Sequence, residues 1–408
     1  MRILYFHQHF STPKGAGGIR SYAMARSLIK AGHEVTMVCG SYSGGSTGLD
    51  GSFVGGKRKG SYDGINIIEF ELNYSNADSF LKRTMLFFLF ALRSIKIALF
   101  SKSDLIFATS TPLTAGIPGI VARWLKNARF VFEVRDLWPE LPREMKVIRN
   151  PVILMLMGFL EWLSYKSAHR LIGLSPGIVA GIRRHNINED RVALIPNGCD
   201  LDIFAANEHA WRPEQVADDD LMAVYSGTHG IANGLDAVLD VAVLLKKQGR
   251  TKIKIVLVGQ GREKEKLSNR AEAENLDNVI FLDPVPKKEL AGLLAGADIG
   301  LQLLANVEAF YFGTSPNKFF DYLSAGLPVL TNYPGWIAEL VSENDCGYVV
   351  APQDPEAFSV ALINAENNRN YLLKAGNNAN ILARNEFARD DLADKFVSWL
   401  EAAVYDIK

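Results

Sequence analysis

The chain has 408 residues, 48% hydrophobic and 22% charged, an ordinary soluble composition too long for one usual core, so two domains of similar size are expected. With 44 basic against 45 acidic residues the net charge is −1, and no overall field draws the protein to nucleic acid, which is excluded as a partner class. Cys39, Cys199 and Cys346 lie far apart, without metal-ligand or disulfide-framework spacing, and fit a reducing compartment.

Residues 2–6 read as a short apolar strand; His7, Gln8 and His9 follow too soon for a signal peptide. A loop with Gly15, Gly17 and Gly18 leads to a helix over 19–30, an arrangement that brings backbone N–H groups close to a ligand. It lacks the G-x-G-x-x-G order of a dinucleotide fingerprint. Residues 32–39 supply a second strand. Residues 41–62, rich in Gly and Ser and carrying Lys57, Arg58 and Lys59, read as a surface loop, either a mobile ligand-side segment or a plain insertion. Further buried strands are expected at 65–70, 105–108, 130–132 and 171–174, mostly separated by helices. That rhythm argues for a parallel sheet covered on both faces.

Two helices are unusually apolar. Phe80–Phe100 is interrupted by Lys82, Arg83, Arg93 and Lys96, and 151–163 has a basic flank at Arg143, Lys146 and Arg149. The interruptions keep the first short of a transmembrane span. Such helices either lie in a membrane interface or belong to the core. Between them Arg135 and Asp136 leave a buried strand at the edge where catalysis sits in open α/β sheets; the alternative is an ion pair between the two.

Residues 192–200 close the first sheet, and the polar run 201–220 is the expected linker. Strands recur at 222–225, 253–258, 279–282, 299–303, 328–330 and 348–350, with helices between most of them, so a second doubly wound sheet is expected. Its Gly-rich turns at 226–230 and 259–261 gather backbone amides at one edge. The stretch 314–330 is the expected centre of the site. Ser315 is a good N-cap and Pro316 suits a first helical position, so the helix tip would offer free amides to an anion. Lys318 adds a charge in the first turn, and Asp321 lies one turn deeper on the same face. A phosphate would meet Lys318, and its ribose Asp321. Arg262 is either a second cation for a diphosphate or an exposed helix-start arginine. An ordinary capped helix with solvated Lys and Asp is the plain alternative.

The Gly17-Gly18 loop, Ile195-Pro196-Asn197-Gly198-Cys199-Asp200-Leu201-Asp202-Ile203-Phe204, Ser315-Pro316-Asn317-Lys318 and Asp321-Tyr322-Leu323-Ser324-Ala325-Gly326-Leu327-Pro328-Val329 together resemble the family 4 retaining glycosyltransferases. The likeness covers nearly the whole chain. Residues 132–140, with His7-Gln8-His9-Phe10, are most similar to the bacterial WbuB-type branch that builds O-antigen and capsule repeats and includes fucosamine transferases. The resemblance implies an α/β GT-B fold, two doubly wound Rossmann-like domains facing across a cleft. Residues 1–205 would bind the acceptor, 206–385 the nucleotide sugar, and 386–408 would pack back on the first domain. It also implies a UDP-sugar donor, an acceptor sugar on a lipid (undecaprenyl) diphosphate, no metal cofactor, and a cytoplasmic place, peripheral at the inner membrane. The two apolar helices would then touch that membrane.

The resemblance carries over unevenly. Asp321 falls on the second acid of the family's E-x7-E motif, expected at the ribose, while Gly313 occupies the first acid's position. Thr228 and Asn233 stand where many members carry the Arg and Lys that hold the diphosphate, and Arg135 where many carry a His beside the donor sugar. Lys318, with Arg262 and the backbone of Gly17, Gly18 and Gly227, then takes the phosphate role. Backbone near Gly313, Thr314 and Ser315 would contact the sugar and Val285 the base; Asp136 would orient the acceptor or assist proton removal. A nucleotide-sugar epimerase of the same fold and a non-catalytic binding module are the rival readings.

Overall fold

The computed structural model describes residues 1–15, 17–75, 77–204 and 209–405. The chain divides into two compact units: Met1–Pro196 with Phe312–Thr314 and the described residues from Asp390 onward, and Asn197–Tyr311 with Ser315–Arg389. The expected boundary between 205 and 206 lies outside the described residues.

The first unit is built on strands β1 (Arg2–Phe6), β2 (Glu34–Tyr42), β3 (Lys57–Tyr62), β4 (Ile65–Tyr74), β5 (Leu105–Thr109), β6 (Phe130–Val134), β7 (Arg170–Gly173) and β8 (Val192–Leu194). They form one sheet in the order β3-β4-β2-β1-β5-β6-β7-β8. β1 is central, pairing Leu4 with Thr36 of β2 and with Ile106 of β5, both in parallel. Parallel neighbours need crossovers, which cover both faces, so β5 and β6 are buried along their whole length.

The loop expected over 41–62 is only partly a loop. Lys57–Tyr62 is an edge strand antiparallel to β4, joined to it by a two-residue turn at Asp63 (φ 48°) and Gly64 (φ 82°). Asp-Gly is favoured there because both residues must take positive φ. The charges that make Lys57-Arg58-Lys59 look like loop suit an edge strand, since they discourage pairing with another chain.

From Asp390 on, the helix Arg389–Tyr405 belongs to the first unit's core. Leu392, Phe396 and Leu400 are buried there, Phe396 meets Phe107 edge-on at 5.1 Å, and Trp399 Nε1 donates to the Leu171 carbonyl at 3.1 Å. The apolar helix Phe80–Phe100 buries Leu86 and Phe90 but exposes Leu81, Met85, Phe88 and Leu92. Its counterpart runs Pro151–Ser167, past Leu163, and exposes Met155, Leu156, Phe159 and Trp162. Core packing thus accounts for one side of each. No described helix is long and apolar enough to cross a membrane.

The second unit holds β9 (Leu221–Ser226), β10 (Ile253–Val258), β11 (Val279–Leu282), β12 (Ile299–Gln302), β13 (Val329–Thr331) and β14 (Gly347–Val349), all parallel, in the order β11-β10-β9-β12-β13-β14. Leu239 and Leu245 of the helix Asp236–Lys247 and Phe358 and Leu362 of Pro355–Asn367 fill its core with Ile255 and Leu257 of β10.

Candidate active site

In the second unit, β9 and β10 end side by side in tight turns. Gly227, with φ +146°, donates its amide to the Val258 carbonyl at 3.0 Å. Its own carbonyl would lie 1.9 Å from a Cβ at residue 259, so only glycine lets these two turns touch backbone to backbone. Over them sits Lys318. Its Nζ donates to Tyr225 Oη at 3.0 Å and Asn233 Oδ1 at 3.3 Å, and lies 4.3 Å from the centre of the Tyr225 ring. Tyr225 Oη and Asn233 Nδ2 in turn both donate to the Thr228 carbonyl, at 2.9 and 2.8 Å. Gly227, Thr228, Asn233 and Lys318 are therefore brought together, as expected of one site. Burial, with no carboxylate to offset it, pulls the Lys318 ammonium down to about 7.

The helix carrying Lys318 is Asn317–Ser324, so it starts later than expected, and Pro316, extended at φ −74° and ψ 126°, precedes it. Ser315 does not cap it: its Oγ accepts the Asn197 amide at 3.1 Å, and among the described residues no side chain caps the helix start. Tyr322 anchors the helix by accepting the Ser226 amide at 3.0 Å.

Asp321 is not a solvated acid. Its Oδ1 accepts from Lys287 Nζ at 3.0 Å, and the same ammonium donates to Asp200 Oδ2 at 2.8 Å. Arg389 Nη2 grips Asp200 Oδ2 at 3.0 Å and the Gly198 carbonyl at 2.6 Å. Burial raises the Asp321 carboxyl, and Lys287 opposes that rise. For Asp200, Arg389 and Lys287 overcome burial and hold it below the usual range. This four-residue cluster went unread in the sequence because its members are far apart; only Asp200 and Asp321 fall within motifs.

Arg262 is exposed and makes no hydrogen bond or ion pair among the described residues. Lys264, unnoticed in the sequence, is the cation that ties these loops, donating to the Gly259 and Leu282 carbonyls at 3.0 Å each. Val285 is half-buried in the loop after β11. Gly313 and Thr314 group with the first unit, not with Lys318, and Ser175 Oγ donates to the neighbouring Phe312 carbonyl at 3.1 Å. A side chain at 313 would meet nothing within 4 Å, so close packing does not demand glycine there.

In the first unit, a Cβ at Gly17 would lie 2.4 Å from Tyr42 Oη, so a larger residue there would have to push the end of the Tyr42 side chain aside. Gly18 is exposed beside it. Glu133, at the end of β6, is fully buried and receives Arg20 Nε and Nη2 at 3.0 and 2.9 Å, Arg135 Nε at 2.9 Å and Thr109 Oγ1 at 3.1 Å. The two arginines overcome burial and hold its carboxyl below its usual value. Arg20 also donates to the Ile195 carbonyl at 2.8 Å. Arg135 is locked, since its Nη2 reaches Ser21 Oγ at 2.8 Å and its amide Ser110 Oγ at 2.8 Å. The expected alternative of an Arg135–Asp136 pair is thus corrected: Glu133, from the same strand end, takes that place. Asp136 is half-buried and makes no side-chain hydrogen bond among the described residues. Burial pushes its carboxyl up to about 6, against the pull of Arg135. Arg20 and Glu133 escaped notice because a charge in an apolar strand and one at a helix start carry no spacing rule.

Residues 15–198 match the glycosyl transferase 4-like domain family and residues 207–381 the glycosyl transferases group 1 family. Among solved structures, sucrose-phosphate synthase from Thermosynechococcus elongatus is 18% identical, with a TM-score of 0.74 over 97% of each chain. HepE from Anabaena, solved with UDP and glucose, is 15% identical, with a TM-score of 0.68 over 98% of this chain and all of its own (100%). WaaG, a glycosyltransferase involved in lipopolysaccharide biosynthesis, is also 15% identical, with a TM-score of 0.68 over 98% of this chain and 99% of its own. Among curated proteins no sequence matches. With both units matched by transferase families and the paired Rossmann-like sheets found in such neighbours, the chain is a glycosyltransferase of family 4 with the GT-B fold.

Proposed function

We propose that this glycosyltransferase moves a sugar, with retention, from a UDP-sugar to a sugar carried on a lipid diphosphate during assembly of O-antigen or capsule repeats. N-acetyl-L-fucosamine or a related aminosugar is the donor sugar in this reading. The observation that carries it is Lys318: a half-buried ammonium with only neutral partners among the described residues, beside a helix start without a side-chain cap and two glycine turns, is set up to gain from an anion. A nucleoside diphosphate supplies one, and HepE has been solved with UDP and with UDP-glucose.

In this mechanism the acceptor hydroxyl attacks the anomeric carbon on the face the nucleotide leaves, and the departing phosphate takes the proton. An oxocarbenium-like transition state needs leaving-group stabilisation more than a protein nucleophile, and Lys318 supplies it. Asp136, without a side-chain hydrogen bond among the described residues and ionised above about pH 6, orients the acceptor hydroxyl. The exposed apolar sides of Phe80–Phe100 and Pro151–Ser167, with Lys82, Arg83 and Arg149 nearby in sequence, rest on the cytoplasmic face of the membrane that carries the lipid. Gly313 and Thr314 contribute backbone contacts to the sugar and Val285 to the base, as the family resemblance implies.

Thermal shifts across UDP-, GDP- and ADP-sugars test the donor, because a ligand of the folded state raises the melting temperature. The largest shift with a UDP-sugar is expected; a larger one with GDP or ADP refutes the nucleotide. Transfer to a lipid-diphosphate sugar then tests the acceptor, while conversion of donor without acceptor marks an epimerase.

A further inference from the structure

Asp321 is 7% exposed, so its carboxylate keeps its charge only with help. That help is an ammonium placed against local preference. Lys287 is the first residue of the helix Lys287–Gly296, where the helix dipole disfavours a cation. It stays because its Nζ spans two acids from separate segments, Asp321 Oδ1 at 3.0 Å and Asp200 Oδ2 at 2.8 Å, while Phe204 lies under it with the ring centre 5.5 Å away. Arg389 balances the second acid, so two acids and two bases cancel. Asp321 Oδ2 makes no hydrogen bond among the described residues.

We propose that Lys287 is the positioning residue of the nucleoside end of the donor site: by fixing Asp321 Oδ1 and keeping the carboxylate ionised, it leaves Oδ2 aimed to accept from the ribose hydroxyls. The inference rests on the reading of Asp321 as the ribose acceptor. Lys287 itself touches no substrate. Without it, Asp321 would be a buried acid facing Asp200, and would take up a proton or turn away.

The test is calorimetric binding of UDP and of 2′,3′-dideoxy-UDP to wild type, Lys287→Met, Lys287→Arg and Asp321→Asn. Wild type should prefer UDP by about 10- to 100-fold, the range for hydrogen bonds to a charged acceptor. Lys287→Met should lose most of that preference while holding dideoxy-UDP within about threefold of wild type, and Lys287→Arg should restore much of it. A Lys287→Met variant that keeps the full preference while Asp321→Asn loses it overturns the role of Lys287 and spares the Asp321 reading. If Asp321→Asn keeps the preference, or wild type has none, the Asp321 reading falls and the proposal with it. Equal loss of both ligands in Lys287→Met marks a merely structural lysine, which also overturns it. Should that variant fail to fold, Lys287→Gln is read by the same criteria.

Discussion

Replacing Lys318 with methionine removes the ammonium and keeps most of the stem. In the free protein that ammonium holds two neutral acceptors, Tyr225 Oη at 3.0 Å and Asn233 Oδ1 at 3.3 Å, and has no acidic partner among the described residues. Its depressed value of about 7, against roughly 10.4 for an unfolded lysine, means the unfolded chain binds more protons between those values. Wild-type stability therefore rises with pH through that window, and the variant should lack the rise. Near pH 6, where the desolvated charge is present, the variant should melt no lower than wild type. Turnover moves the other way: losing one preorganised donor to developing charge costs about 10²- to 10³-fold in kcat, or about 2.7–4 kcal/mol. Donor binding should also draw a proton onto Lys318 above pH 7, so affinity falls as pH rises past 7 and proton uptake is visible calorimetrically. Turnover within about threefold of wild type at saturating donor refutes the assignment. So does a melting temperature several degrees lower at pH 6, which would mark a structural lysine.

Asp136→Asn should lower kcat by about 10²-fold or more with a folded, equally stable protein. Since the acid must be ionised, wild-type kcat/KM should fall as pH drops through about 6, and a flat profile there removes the role. Arg20→Ala takes one of two arginines from the buried Glu133, which keeps Arg135 and Thr109, and should cost about 1–3 kcal/mol in denaturant unfolding; an unchanged midpoint refutes a structural role for the pair. Leu81→Asp with Phe159→Asp should abolish flotation with anionic liposomes while leaving transfer to a detergent-dispersed acceptor intact; unchanged flotation rejects the membrane face.

Alternation of apolar strands with helices was enough to read both sheets, because a buried parallel strand must be apolar on both sides. The donor-side turns were legible for a similar reason, since few residues other than glycine fit at 227 and 259. The β3 edge is harder to see in the sequence, since the charges of Lys57-Arg58-Lys59 look like loop, although Asp63-Gly64 is a hairpin signal. Ser315 has the residue type of a cap, but Asn197, far away in sequence, claims its hydroxyl instead. The Asp200–Lys287–Asp321–Arg389 cluster has no sequence period at all; tertiary folding alone assembles it.

The helix Arg389–Tyr405 has a consequence for biosynthesis. Its Phe396 and Trp399 occupy a seat against Phe107 and Leu171, in a sheet whose strands leave the ribosome long before they do. Until that helix has been made, the seat is a bare greasy surface for chaperones to shield. Cutting the gene after the second unit would remove no appendage; it would leave the earlier half permanently unfinished.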